Sequence, residues 1–196
     1  MISVALRLGL TGNIACGKSA LAELFVGRGI KILDSDEVVR ELYISDKELQ
    51  AQVLELCGTL DKAKIAAQVF AEAGSKKREQ LEAIVHPKVN AAIETWFEEH
   101  KADEILVNVV PLLFEAQLED RFDKILAVTC DLASQKARLR SRNPDMSEAE
   151  IEGRIAAQMP QSQKASKADY IIDNSGSEAD LKTQFEAFLA KLSLIC

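Results

Sequence analysis

The sequence has no cysteine pair at CxxC spacing. Its four cysteines, Cys16, Cys57, Cys130 and Cys196, stand far apart along the chain. That excludes the common structural zinc motifs, and the scatter is that of a reduced, cytosolic protein rather than a disulfide scaffold. No apolar run approaches the roughly 20 residues that a membrane span requires. No basic stretch precedes the first apolar residues, so residues 1–10 read as a strand entering a loop and not as an export signal. Internal repeats, low-complexity tracts and proline-rich linkers are missing as well. Positive charge is in deficit: 24 Lys and Arg against 31 Asp and Glu leave a formal net charge of −7. Such a surface lacks the basic footprint that nucleic acid or an anionic membrane needs, although a single cleft can still be positive. The expectation is a soluble cytoplasmic protein, monomeric or weakly homo-oligomeric, with neither nucleic acid nor membrane as partner.

What is present is enough for a core: 47% of the 196 residues are hydrophobic and 28% charged, as in one ordinary globular domain. Residues 4–10 form an apolar run suited to a buried parallel strand, 11–17 a loop of small residues, 18–28 a helix stopping at Gly29, and 30–33 a second strand. Strand, helix, strand in this compass is a βαβ unit, which implies a parallel sheet. Residues 37–101 are helical in pattern: 37–43, 47–57, 62–72 and 76–85, with Gly58 and Gly74 as stops. Pro87 is placed to begin a further helix, because the first turn needs no proline N–H. Strands follow at 104–109, 124–129 and 169–172. A basic helix covers 132–142, the Ser147–Glu150 capping box starts another, 161–167 reads as a polar loop, and 178–192 as the last helix. The fold class is α/β: a five-stranded parallel sheet with helices on both faces.

Gly12-Asn-Ile-Ala-Cys-Gly-Lys-Ser19 matches G-x-x-x-x-G-K-[ST] between a predicted strand and a predicted helix, the context the motif demands. Such a loop turns successive backbone N–H groups toward an anion, and glycines permit the dihedrals and the close approach. The helix opening at Lys18 adds its unpaired N-terminal donors. Lys18 reaches the β- and γ-phosphates of a nucleotide, and the Ser19 hydroxyl suits magnesium. The motif alone indicates nucleotide binding and does not separate a kinase from a switch.

Asp34-Ser-Asp36 ends the second strand, on the side of the sheet where open α/β folds bind ligands. One aspartate there can take the proton of an attacking hydroxyl and the other can hold magnesium through water. Equally, Ser35 or an aspartate can cap the next helix, and the two readings are compatible. Arg40, a helical turn after Asp36, either faces an acceptor or neutralises the acids.

Taken together these residues resemble the dephospho-CoA kinase family over nearly the whole chain. The likeness is carried by Gly9-Leu-Thr-Gly12 with the loop, Asp34-Ser-Asp36 with Arg40, His86-Pro87, Pro111-Leu-Leu-Phe-Glu115, and Gln135, Arg138 and Arg142. Arg154-Ile-Ala-Ala-Gln158 and Ala168-Asp-Tyr-Ile-Ile-Asp-Asn-Ser-Gly176 complete it. The resemblance implies ATP- and Mg²⁺-dependent phosphorylation of the ribose 3′-hydroxyl of dephospho-CoA. It implies a P-loop fold like that of nucleoside monophosphate kinases, with a core of about 1–36, 102–135 and 168–196, an acceptor lobe of about 37–101 and a lid of about 136–167.

By the same resemblance Asp36 is the catalytic base, with Lys18 and Arg142 stabilising the transferring group. ATP falls to Gly12, Asn13, Ile14, Ala15, Cys16, Gly17, Lys18, Ser19 and Ala20, with Arg142 from the lid and Asn174 and Gly176 near the adenine. The acceptor falls to Asp36, Arg40, His86, Pro111, Leu112 and Leu113, and magnesium to Ser19 and, through water, Asp34. The chain departs from the family at Asn13 (usually Gly), Ala15-Cys16 (usually Gly-Ser), Ala20 (usually a hydroxyl residue) and Val109 (often an acid), so no metal ligand is assigned on that strand. Cys16, beside Lys18 and a helix N-terminus, is a candidate for a reactive thiol of lowered pKa, the plainer alternative being a small residue that fits. The rival acceptors AMP, shikimate and gluconate are disfavoured by the motif at residues 168–174 and by His86-Pro87. A guanine-nucleotide switch is disfavoured because no Asn-Lys-x-Asp occurs.

Overall fold

Leu8 and Leu10 turn to one face of strand β1 (Leu6–Gly12) and are fully buried, as a strand covered by helices requires. A computed structural model describes residues 5–69 and 75–192. In it β1 is the central strand, paired in parallel with β3 (Ile105–Val109) on one side and β4 (Lys124–Thr129) on the other. The sheet has five strands in the order β2-β3-β1-β4-β5, where β2 is Lys31–Asp34 and β5 is Tyr170–Asp173. The five predicted strands are therefore present, each within a residue or two of its expected bounds. The chain divides into two compact units, one from residues up to Ile32 and from His100 onward, the other Leu33–Glu99.

In the first unit, helices α1 (Lys18–Gly27) and α9 (Glu178–Leu192) cover one face of the sheet. Phe25 meets Phe185 edge-on at 4.9 Å, and Leu21, Leu181 and Phe188 fill in around them against Leu8, Leu10, Val107, Leu126 and Ile172. A separate cluster holds Val110, Leu113, Phe114 and Ile125 with Phe122 and Met159. A third packs Ile14 and Ala15 of the glycine loop on Leu139 and Ile151. Those last two come from α6 (Leu132–Arg142) and α7 (Glu148–Ala156). The predicted capping box is formed: Ser147 Oγ accepts from the Glu150 N–H, and the Glu150 carboxylate accepts from the Ser147 N–H at 2.8 Å.

Two expectations need correction. Residues 161–167 are not a loop but helix α8 (Gln161–Lys167). Pro160 stands at its N-cap with φ −52, pre-set for helix entry, and Gln, Lys and Ala are good helix formers, so the polarity that suggested a loop was misleading. Nor does Pro87 begin a new helix. It lies inside one continuous helix, α5 (Ser75–Glu99), in the second unit with α2 (Ser35–Ser45), α3 (Lys47–Cys57) and α4 (Lys62–Val69). Val85, Val89, Ile93 and Phe97, at a spacing of four, are all buried on α5. Keeping that row on one face demands that the helix run through the proline, and packing overrides the local preference. Gly58 closes α3 in the left-handed conformation, as expected. The predicted continuation of α4 to residue 72 and its stop at Gly74 lie outside the described residues. No helix among the described residues is long and apolar enough to cross a membrane.

A proline in a helix interior costs about 3 kcal/mol. Pro87 is exposed and its ring gives up little packing on removal. Pro87→Ala should therefore stabilise the protein by about 1–2 kcal/mol, seen as a melting temperature higher by about 3–6 °C. An unchanged or lower melting temperature would show that the helix has been accommodated to the ring.

Candidate active site

The predicted phosphate loop lies between β1 and α1, and its conformation depends on unusual dihedrals. Gly12 has φ 151 and Gly17 φ 101. A β-carbon at Gly17 would also stand 1.9 Å from Asn174 Nδ2, and one at Gly12 would stand 2.4 Å from the Val128 carbonyl oxygen. Ala15 takes φ 60, a left-handed conformation that costs a non-glycine residue about 1–2 kcal/mol. Its methyl group is buried on Leu139 and Ile151, which offsets part of that cost.

Five consecutive loop carbonyls are held by side-chain donors. Lys18 Nζ donates to the Gly12 oxygen at 2.7 Å and to the Asn13 oxygen at 3.1 Å. Gln135 Nε2 donates to the Ile14 oxygen at 2.8 Å, Arg138 to the Ala15 oxygen at a longer 3.5 Å, and Asn174 Nδ2 to the Cys16 oxygen at 2.9 Å. A peptide whose oxygen is drawn one way turns its N–H the other, so these contacts fix the sense of the loop. No side chain caps the start of α1 at Gly17, so the first-turn donors of that helix are not consumed by a capping side chain. The donor set fits an anion such as a phosphate.

The donors are themselves positioned. Gln135 is fully buried on α6 and its Oε1 accepts from Gln161 Nε2 at 3.1 Å. Gln161 Oε1 accepts from the Cys130 N–H at 2.9 Å and from Cys16 Sγ at 3.2 Å. Arg138 also donates to the Asn174 carbonyl at 2.7 Å, and the Asn174 N–H joins Thr129 at the end of β4. The loop is further docked on the segment after α7: Gln158 Oε1 accepts from the Ile14 N–H at 2.6 Å, and Asn13 Nδ2 donates to the Met159 carbonyl at 2.9 Å. Asn13 Oδ1 is buried without a hydrogen-bond partner among the described residues, a cost borne within the loop. Met159 N–H reaches Glu115, which pairs at 2.9 Å with the buried Lys164, and Lys164 donates to the Pro111 carbonyl at 2.8 Å. Burial raises the Glu115 carboxyl, but Lys164 and the Met159 N–H outweigh it and hold the group below the usual range.

For Cys16 the plainer alternative, a small residue that fits, agrees with the structure, and the lowered pKa does not. The thiol is fully buried, and its partnership with Cys130 and its burial push its pKa up, against the weaker pull of Lys18. Proximity to a lysine and a helix end does not activate a thiol that water does not reach.

Ser19 and Ala20 are exposed in the first turn of α1. The arginines of α6 divide: Arg138 serves the loop, Arg140 pairs with Glu148, and Arg142 is exposed with no ion pair to a described residue. Gly176 lies against Asp180. Leu112 is exposed, whereas Leu113 is fully buried and supports its segment from below. Pro111 offers its carbonyl to Thr11 and Lys164. The remaining predicted residues belong to the second unit. Asp34 caps α2 by accepting from the Asp36 N–H at 2.9 Å, Asp36 is exposed in the first turn, and Arg40 pairs with Glu37 at 3.4 Å. His86 is exposed on α5. No cluster of three or more metal-ligating side chains occurs among the described residues.

Gln161, Lys164 and Glu115 have roles that sequence reasoning missed. Reading Pro160 as a helix start would have exposed the first two, since a helix gives Gln161 and Lys164 one face at a spacing of three. Removing a loop tether tests the arrangement: Asn174→Ala leaves the Cys16 carbonyl without its donor and should cost about 1–3 kcal/mol in urea unfolding. A variant as stable as the parent would show that the tether does not hold the loop.

Comparison with known proteins agrees with this geometry. Residues 6–180 match the family model for dephospho-CoA kinase (CoaE). A dephospho-CoA kinase of Bacillus cereus is 35% identical over 198 residues, covering 96% of this chain and 98% of its own. One of Synechococcus sp. is 38% identical over 192 residues, covering 93% and 95%. A crystal structure of a Thermus thermophilus protein superposes with a TM-score of 0.83 at 32% identity, covering 96% of this chain and 98% of that one. A shikimate kinase from Bacteroides thetaiotaomicron shares the fold, with a TM-score of 0.55 at 16% identity and coverage of 96% and 98%. With its phosphate loop intact and the match extending over most of its length, the chain belongs to the dephospho-CoA kinase family.

Proposed function

We propose that this enzyme moves the terminal phosphoryl group of ATP to the ribose 3′-hydroxyl of dephospho-CoA, completing coenzyme A. The observation that carries the reading is the phosphate loop with five tethered carbonyls, found in a chain of this family. Residues Gly12 to Ala20 form the cradle, and the Lys18 ammonium is the cation nearest to the loop's own backbone. Asn174 and Gly176 bound the adenine end. Magnesium bound with ATP would supply positive charge that stabilises the transferring phosphoryl group. The exposed Ser19 hydroxyl would hold it, and Asp34, which also caps α2, is the candidate to assist through water.

Asp36 accepts the proton of the ribose hydroxyl. Its support is its place in the Asp-Ser-Asp pattern and its exposure in the first turn of α2. Arg40, His86, Pro111 and Leu112 receive the acceptor. Arg142 closes on the phosphates and stabilises charge as it develops, a role supported by the contrast with Arg138 and Arg140, both already engaged. Closure of residues 136–167 excludes water and suppresses hydrolysis. The enzyme works in the cytoplasm on small molecules, as a monomer or weak homo-oligomer.

An ADP-release assay with dephospho-CoA, AMP, shikimate or no acceptor tests the whole reading. Turnover should require dephospho-CoA, and equal turnover with shikimate or AMP would overturn it. Asp36→Asn should lower kcat by about 10²–10⁴-fold with ATP affinity unchanged; near-normal turnover would remove Asp36 from the base role. Arg142→Ala should lower kcat by about 10²–10³-fold with little change in the KM for dephospho-CoA. A loss confined to KM would assign Arg142 to acceptor binding instead.

A further inference from the structure

Two of the three described cysteines meet beneath the phosphate loop. Cys130 Sγ lies 3.4 Å from Cys16 Sγ, within the first unit, while Cys57 is buried in the second. Nothing in the phosphoryl transfer uses this pair. The two residues are held together by more than their sulfurs. Gln161 Oε1 accepts from both the Cys130 N–H and the Cys16 thiol. Asn174 ties the Cys16 carbonyl to the strand end that precedes Cys130.

We propose that Cys16 and Cys130 form a reversible disulfide that disables the phosphate loop, with a low-molecular-weight disulfide as the oxidant. Both sulfurs meet in a buried contact, and Cys130, the less enclosed residue at 8% exposure against none for Cys16, is the point of entry when the end of β4 opens locally. The Cys130 thiolate attacks one sulfur of R–S–S–R, forming a mixed disulfide and expelling RS⁻, which takes up the thiol proton. Cys16 then loses its proton and attacks the Cys130 sulfur, expelling the second RS⁻. The sum is two protein thiols plus R–S–S–R giving one protein disulfide plus two R–SH. The hydrogen bond with the neighbouring Cys16 outweighs burial in favouring the ionised form of Cys130, and the Arg138 guanidinium adds to it. Thiol substrates and products of this family have disulfide forms of the required class.

The consequence follows from where Cys16 stands. Bonding draws sulfurs now 3.4 Å apart to about 2.0 Å and breaks the thiol's contact with Gln161. Cys16 sits between Ala15 at φ 60 and Gly17 at φ 101, so the shift falls on a backbone with little freedom. This half of the proposal rests on the loop being the ATP cradle; formation of the bond does not.

The experiment oxidises the nucleotide-free protein with excess oxidised glutathione, alkylates remaining thiols, and maps peptides by mass spectrometry. The expected product is a Cys16–Cys130 cross-linked peptide, lighter by two hydrogens and restored by dithiothreitol, with Cys57 alkylated. Cys130→Ala and, independently, Cys130→Ser should form no such link, and each should retain ATP turnover after oxidant treatment. A glutathionylated Cys130 that never resolves onto Cys16, or preferential oxidation of Cys57, would overturn the pair. ATP affinity, measured first on reduced protein, should fall at least tenfold on oxidation. Equal affinity in both forms would overturn the disabling effect, and reduced protein that binds no ATP would sink the cradle reading and this effect with it.

Discussion

Binding of an anion by bare backbone requires that the peptide oxygens be kept off it, and in this loop five carbonyls are engaged by side-chain donors, three of them by Gln135, Arg138 and Asn174 from outside the loop. Each such bond contributes only about 1 kcal/mol net to stability. Their larger effect is on conformation: a flipped peptide would aim an oxygen at the phosphate and leave a buried donor unpaired. The loop is thus organised before a ligand arrives, which lowers the reorganisation that binding would otherwise demand.

That arrangement draws on distant parts of the chain. Lys18 is local, but Gln135 and Arg138 come from α6, Asn174 from the turn after β5, and Gln158 and Met159 from the segment that follows α7. The packing of Ile14 and Ala15 on Leu139 and Ile151 joins the same elements through apolar contact. The basic run of α6 therefore has no single purpose: Arg138 is structural, Arg140 pairs with an acid of α7, and Arg142 is left exposed. From Met159 the network passes to Glu115, Lys164 and the Pro111 carbonyl, so the segment implied to receive the acceptor is braced by the helix at the end of the implied lid.

Several local costs are visible, two in the phosphate loop and one in the second unit. Ala15 is held in a conformation that glycine would adopt freely, Asn13 buries an acceptor without a partner, and Pro87 interrupts the hydrogen-bond ladder of α5. Each departs from an ordinary local preference, and Gln117 at φ 54 is a further departure outside the phosphate loop. The favourable terms that offset them are ordinary: a sheet buried beneath Phe25, Phe185 and Phe188 on one face and Phe114 and Phe122 on another cluster.

The parts of this protein readable from its residues are those governed by neighbours in sequence. The phosphate loop, the βαβ start, the capping box at Ser147 and the stop at Gly58 each depend on a few adjacent residues with distinctive stereochemistry, and all four are present in the fold. Where long-range packing competes with local preference, sequence alone was insufficient. Pro87 reads as a boundary, but the row from Val85 to Phe97 carries the helix through it, and Gln161–Lys167 reads as a loop because its one buried member, Lys164, is polar. For Cys16 the sequence leaves open a reactive thiol or a small residue that fits, and only the fold buries it against Cys130, 114 residues away. Strand order, with β1 placed centrally, and the choice of Gln135, Arg138 and Asn174 as loop tethers were likewise decided only by the tertiary structure, because no local signal encodes which distant amide will meet which carbonyl.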